Sequence, residues 1–160
     1  MYTLTPSIIL TLDILGFTNL VCGAKNKEKQ ERLLKKIVAA TADVKFIYGK
    51  LSAHPLDTET HCKVKFYTDN FIAAITYNPD NPDEKKSCFN DMLIYAALHQ
   101  WRFAKDGFFI RGSITAGPNF MNDDIVFGSA MIRGHELEAK VAKYPRIILD
   151  TELYSLVDYN

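Results

Sequence analysis

Nine residues near the start of the chain, Ser7 to Leu15 (SIILTLDIL), constrain its fold more than any others. They are rich in β-formers and almost wholly apolar, which predicts a buried central strand. One acid, Asp13, interrupts them. A carboxylate is seldom buried in such company unless it is ion-paired or bound to a cation. The fold must therefore supply both strand neighbours for this segment and a partner for Asp13.

The rest of the chain supplies the elements. Leu33, Leu34, Ile37, Val38, Thr41, Val44 and Ile47 recur at helical spacing within residues 26–48 and predict an amphipathic helix stopped near Gly49. Residues 50–60 read as loop. CKVKFY and NFIAAITY flank Thr68-Asp69 and predict a hairpin. Residues 78–86 (NPDNPDEKK) carry turn chemistry, and Ser87 is placed to cap a helix that runs to about Asp106 before Gly107. Residues 108–116 predict a strand, Gly117-Pro118 a turn, and Asp124 to Phe127 a returning strand. Gly128 to Lys143 predicts a helix stopped by Pro145, and RIILD a last strand. The order β-α-β-β-α-β-β-α-β contains the split ferredoxin-like β-α-β-β-α-β core, an α+β fold with helices on one face of an antiparallel sheet and extra elements at the C-terminal end. Without linker or repeat, 160 residues suit one domain over 1–160. In that topology Asp13 and Asp69 come side by side.

Several classes of function are disfavoured. Lys plus Arg and Asp plus Glu are each 19, whereas a protein that grips DNA through its phosphates is usually basic. The longest apolar run, Met92 to Leu98, has seven residues, against about 20 for a membrane span. No signal peptide is visible in the first twenty residues, and Cys22, Cys62 and Cys88 form no C-x-x-C, which together predict a cytoplasmic protein with reduced thiols. His54, Asp57, Glu59, His61 and Cys62 share one loop but lack zinc-ligand spacing. His99 and His135 have no paired nucleophile.

Two acids at the ends of apolar strands suit a shared hard cation, Mg²⁺ or Mn²⁺, completed by substrate phosphates; two such ions can clamp both oxygens of an in-line phosphoryl displacement. The plainer alternative is that Asp13 caps a turn and Asp69 begins a hairpin. After Asp13 the chain turns at Gly16 before a helix, where backbone N–H groups can face phosphates.

LDILGFT resembles the first-strand motif of class III nucleotidyl cyclases, in which an Asp, a hydrophobic pair, Gly, Phe and Ser/Thr meet metal and phosphate. KFYTDNFIAAI is similar to that family's K-x-x-G-D hairpin, with Lys65 four before Asp69 and Thr68 for the usual Gly. RGSITAG, residues 111–117, is similar to the R-x-G-I-x-x-G strand, with Ser113 for the middle Gly. VFGSAMIRGHELEA stands where the family has a helix carrying an Asn and an Arg. The likeness spans about residues 8–150. It implies cyclisation of a nucleoside triphosphate, in which the ribose 3′-OH attacks the α-phosphorus and pyrophosphate leaves. It further implies a head-to-tail homodimer with two ions per active site, held by Asp13, Asp69 and the Ile14 carbonyl, and phosphates on the backbone of Gly16, Phe17 and Thr18.

The departures carry information. Aligned on Gly128, Ile132 stands at the Asn position, Glu136 at the transition-state Arg, and Ile125 at the adenine-reading acid, with Asp123 and Asp124 near but shifted. That argues against an ordinary adenylate or guanylate cyclase. The short bacterial cyclases of Pycsar antiphage systems, which make cyclic UMP or cyclic CMP, are more similar, through DILGF, Y-x-D-N, RG-x-IT-x-G and YPRII. Tyr67 falls where the family places a smaller aliphatic residue beside the base; a ring there narrows the pocket and disfavours a purine. It also fits a strand aromatic packed in a core or interface. Lys65 suits a base carbonyl, which favours UTP slightly over CTP, or a solvated position. Arg111 suits either the triphosphate or a pairing with an acid in the sheet. Arg133, one residue past the absent Asn, suits transition-state charge stabilisation or a solvated helix position; Arg146 reads as structural.

The expectation is a metal-dependent homodimeric cyclase that turns UTP, or less favourably CTP, into a cyclic monophosphate, with a separate effector protein responding to the product in phage defence. The alternatives are an adenylate cyclase with atypical base-reading residues, and a cyclase-like module that binds a nucleotide or a partner without catalysis.

Overall fold

A computed structural model of the chain describes residues 2–51 and 62–157. The loop acids and histidines His54, Asp57, Glu59 and His61 lie outside the described residues. The elements are β1 (Thr5–Ile14), α1 (Phe17–Gly23), α2 (Lys27–Leu51), β2 (Cys62–Tyr67), β3 (Asn70–Thr76), α3 (Pro82–Lys105), β4 (Ile110–Met121), β5 (Val126–Gly128), α4 (Ser129–Lys140) and β6 (Ile147–Leu149), followed by a 3₁₀ turn at Thr151–Leu156. The sheet runs β2-β3-β1-β4-β5, with β6 on the outer edge of β4. All its pairings are antiparallel except β4 with β6.

β1 lies at the centre because both its faces are apolar. Ile8, Leu10, Leu12 and Ile14 pack with Phe71, Ala73 and Ile75 of β3 beneath α2 and α3. Ile9 points the other way, into a smaller cluster with Ile72, Ala74, Met121 and Ala130. The helices are therefore not confined to one face. α2 and α3 cover one side, and α4 covers the β1–β4 part of the other.

Local chemistry moves several boundaries. α3 starts at Pro82 and not after Ser87. Asn81 is the cap, its Oδ1 accepting from the Glu84 N–H at 3.1 Å, and proline at the first helical position gives up only a donor that the helix leaves unused. Gly117-Pro118 is not a turn, since β4 continues through it to Met121. Pro118 lies opposite Pro6 of β1, and two residues without N–H can face each other only at a non-hydrogen-bonded position of the ladder. The turn falls instead at Asn122, whose Oδ1 accepts from the N–H groups of Asp124 and Ile125. α4 ends at Lys140, short of Lys143.

The register of α4 over β4 positions everything that follows. The Thr115 hydroxyl donates to the Ala130 carbonyl at 2.9 Å, and that of Ser113 to the Gly134 carbonyl at 3.0 Å. Thr11 then donates to Ser113 at 2.9 Å, because the Ser113 proton is already committed. A side chain at Gly134 would press on Ser113 and Thr11 at 3.1–3.2 Å, so glycine permits the close approach. Two strand residues rise about 6.8 Å and four helical residues about 6 Å, so the steps match. The next step of the ladder sets Glu138 over Arg111.

Gly112 lies between Arg111 and Ser113, and a Cβ there would stand 2.0 Å from the Thr11 backbone oxygen. Gly112→Ala is expected to destabilise the fold by about 1–3 kcal/mol or more, read as a lowered urea midpoint; an unchanged midpoint contradicts this packing.

Candidate active site

Three rows of residues cross the sheet on the face that α4 partly covers. Directly opposed residues of antiparallel strands share a face. Lys63, Ala74, Ile9 and Thr115 form the first row, and Lys65, Ile72, Thr11 and Ser113 the second. Tyr67, Asn70, Asp13 and Arg111 form the third. The first row is capped: Met121, Val126, Ala130 and Met131 pack over it, and the Lys63 ammonium donates to the Met121 carbonyl at 2.7 Å. The third row lies at the open end, with Tyr67 49% exposed at its rim. One face thus brings together Asp13, Arg111, Lys65 and Tyr67.

Asp69 arrives from the β2–β3 turn. Its carbonyl accepts from the Ile14 N–H at 3.2 Å, which ties the turn to the residue after Asp13. Its Oδ1 accepts from the Thr68 hydroxyl at 2.8 Å and the Asn70 amide at 3.1 Å. Thr68 holds φ 55, the sole positive value outside glycine among the described residues. This is the position where the cyclase hairpin motif has glycine, and the conformation accounts for that preference. Gly16, at φ 73, turns the chain from β1 into α1. The first N–H groups of α1, on Phe17 and Thr18, have no preceding carbonyl in the helix to meet.

The electrostatics centre on Arg111. Its Nε donates to Asp13 Oδ2 at 2.9 Å, and its Nη2 lies 3.7 Å from Glu138 Oε1. Burial pushes the Asp13 carboxyl above its ordinary value, the Arg111 guanidinium works against that rise, and Asp69 adds to it. Glu138 is pushed up to about 7, first by burial and then by the charge of Asp13, with Arg111 opposing. Only 9% of its side chain is exposed, and among the described residues its Oε2 has no hydrogen-bond partner; His135 Nδ1 stands 4.0 Å away. Two carboxylates, Asp13 and Glu138, therefore share one guanidinium in a half-enclosed site, with the charge of Asp69 felt by both. Its donors are hard oxygens and its charge is negative, which fits Mg²⁺ or Mn²⁺. No three His, Cys, Asp or Glu side chains among the described residues are arranged to hold an ion alone. Water, or substrate oxygens, would complete the shell.

Arg133 is placed elsewhere. Its Nε and Nη2 donate to the carboxylate of Asp150 at 2.9 and 3.2 Å, and Asp150 is buried to 2% exposure. The Arg133 guanidinium beside Asp150 holds that carboxyl below its ordinary value. Ile132 is exposed. On the far side of the sheet His99 sits below Asp13 and Asp69 among Leu12, Phe71 and Phe103; burial pushes it down to about 4, so it is a neutral core residue. Arg146 donates to the Val141 carbonyl.

Glu138 was not legible as a site residue from motifs. The available signal was its spacing: Ala130, Gly134 and Glu138 recur every four residues, so an acid occupies the buried stripe of α4.

Because the folded protein holds a proton on Glu138 that the unfolded chain has lost, Glu138 makes stability fall as pH rises from about 4.5 to about 7 in the absence of divalent cations. Glu138→Gln removes that fall. The variant is expected to gain on the wild type by about 1–3 kcal/mol between pH 5 and pH 8, measured by urea unfolding at both values. Parallel pH profiles contradict the environment described for Glu138.

Neither a protein-family model nor a curated protein sequence matches the chain. Solved structures do. The guanylate cyclase domain of RhGC from Catenaria anguillulae, solved with GTP, is similar at a TM-score of 0.64 and 16% identity, covering 97% of this chain and 83% of that one. The guanylyl cyclase Cya2 gives 0.55 and 19%, covering 99% and 82%. A class III adenylyl cyclase-like ATP-binding protein from Pseudomonas aeruginosa gives 0.60 and 13%, covering 98% of this chain and 35% of that one. Matched over nearly its whole length, this chain has the fold of a class III nucleotidyl cyclase catalytic domain.

Proposed function

We propose that the protein is a metal-dependent nucleotide cyclase acting on a pyrimidine nucleoside triphosphate. The observation that carries this reading is the convergence of Asp13 and Asp69 at the open end of a cyclase-fold sheet, with negative charge in excess of Arg111. Asp13, Asp69 and the Ile14 carbonyl would hold two Mg²⁺ or Mn²⁺ ions, which supply charge stabilisation for the attacking 3′-oxygen and the leaving pyrophosphate. The backbone N–H groups of Gly16, Phe17 and Thr18 receive phosphate oxygens. Arg111, released from Asp13, faces the triphosphate from the neighbouring strand.

Lys65 and Tyr67 read the base. Both project from β2 onto the same face as Asp13, one row apart. The Tyr67 ring narrows the pocket against a purine and stacks on a pyrimidine. Lys65 donates to a uracil carbonyl, which favours UTP over CTP. The exposed Phe127, Ile125 and Ile132 are apolar surface of the kind a homodimer contact buries. Arg133 reaches phosphate only by exchanging Asp150 for it. The product, a cyclic UMP or cyclic CMP, would act on a separate effector protein in phage defence, as the Pycsar resemblance implies.

One observation favours a second reading, a cyclase-like nucleotide-binding module without catalysis. The positions that carry an Asn and an Arg in the resemblance hold the exposed Ile132 and Glu136, and Arg133 is already ion-paired.

Separate incubation with ATP, GTP, CTP and UTP plus Mn²⁺, with products identified by mass spectrometry, distinguishes the two. A cyclic pyrimidine monophosphate is expected. Asp69→Ala is expected to lower its formation by roughly a thousandfold or more, the scale of several kcal/mol of lost charge stabilisation. No product from any triphosphate, together with retained nucleotide binding, supports the non-catalytic reading. Tyr67→Val is expected to narrow the pyrimidine preference by roughly tenfold; an unchanged ratio removes Tyr67 from base selection.

A further inference from the structure

The three acids of the site are not equivalent. Asp13 takes a close, charge-assisted hydrogen bond from the guanidinium at 2.9 Å. Asp69 accepts from Thr68 and Asn70 on Oδ1. Glu138 faces the other edge of the same guanidinium at 3.7 Å, too long for a hydrogen bond, and its second oxygen has no hydrogen-bond partner among the described residues. A buried carboxylate with unused acceptor capacity is costly to keep. Its placement is also costly to obtain, since it depends on the close approach of α4 at Gly134.

A divalent cation on Asp13 and the guanidinium on Asp13 Oδ2 repel each other, because both are positive and both draw on one carboxylate. The arriving cation therefore favours a move of Arg111 from Asp13 to another acceptor. Glu138 is within about 1 Å of hydrogen-bonding range and has room for two such bonds, so the transfer needs only a small swing of the Arg111 side chain.

Resting on the reading of Asp13 and Asp69 as cation ligands, we propose that Glu138 is the second seat of Arg111, a positioning residue that takes over the guanidinium and so frees Asp13 to bind a divalent cation. The Asp13–Arg111 pair is then the cation-free state of the site, and the Glu138–Arg111 pair the loaded one. Arg111 on Glu138 stays beside the site, one strand from Asp13, where a triphosphate would meet it.

The test is Mn²⁺ binding to the intact protein without nucleotide, followed by electron paramagnetic resonance of free Mn²⁺. Glu138→Gln is expected to weaken binding about tenfold, because Arg111 then has no carboxylate but Asp13. Arg111→Gln is expected to bind at least as tightly as the wild type, since the competing cation is gone. In the Arg111→Gln background, Glu138→Gln should cost less than about threefold. Glu138→Ala should repeat the pattern if the glutamine variant folds poorly by circular dichroism. A full tenfold loss persisting without Arg111 overturns the proposal, for Glu138 then acts through space as a charge; so does an unchanged affinity in Glu138→Gln. Loss of the reading beneath it looks different: Mn²⁺ binding that survives Asp13→Asn, or none in the wild type, removes the acids as cation ligands and the seat with them.

Discussion

The seating of α4 on the β1–β4 pair governs the rest of this structure. Two hydroxyls of β4 donate to helix carbonyls four residues apart, and Gly134 brings the helix onto the sheet where a side chain would hold it off. Hydroxyl donation to buried carbonyls contributes about 1 kcal/mol per bond. Its larger effect is geometric. It fixes a matched step between helix and strand, and the next step carries Glu138 to Arg111 and Asp13. Ser113, in place of a glycine of the cyclase strand motif, is the pivot of this ladder.

That seating creates a charge imbalance which the site cannot resolve alone. Arg111 answers one carboxylate closely and a second at a distance, and Asp69 relies on uncharged donors. Sites of this kind are matched to incoming positive charge, and hard oxygen donors in a half-open cleft favour a divalent ion carried with phosphates. Function in this account is the completion of an unfinished electrostatic arrangement at the end of an apolar strand. The strand holds Asp13 rigidly because its alternate residues are buried against α2 and α3.

Much of this was legible in the sequence. The apolar run with one acid gave a central strand, and the short Thr68-Asp69 join gave the hairpin that delivers Asp69, because both signals are local. Boundaries failed where one residue type serves two purposes. Pro82 and Asn81 read as turn residues, yet they start a helix. Pro118 reads as a turn, yet opposite Pro6 it sits within a strand at no cost in hydrogen bonds. The two-sided sheet and the pairing of Arg133 with Asp150 depend on long-range packing, which no local pattern encodes. Glu138 was missed because, although it lies within VFGSAMIRGHELEA, no role was attached to that position; the Ala130–Gly134–Glu138 spacing pointed to it. The row shared by Tyr67, Asp13 and Arg111 follows from strand register, which pairs residues far apart in the chain.

The most direct test is a crystal structure of the protein with Mn²⁺ and a UTP analogue that cannot cyclise, with the manganese located by its anomalous scattering. Manganese is expected on Asp13 and Asp69, with phosphates over Gly16 to Thr18 and Arg111 moved from Asp13 to Glu138. Manganese bound elsewhere at saturating concentration, with Arg111 still on Asp13, would contradict this arrangement.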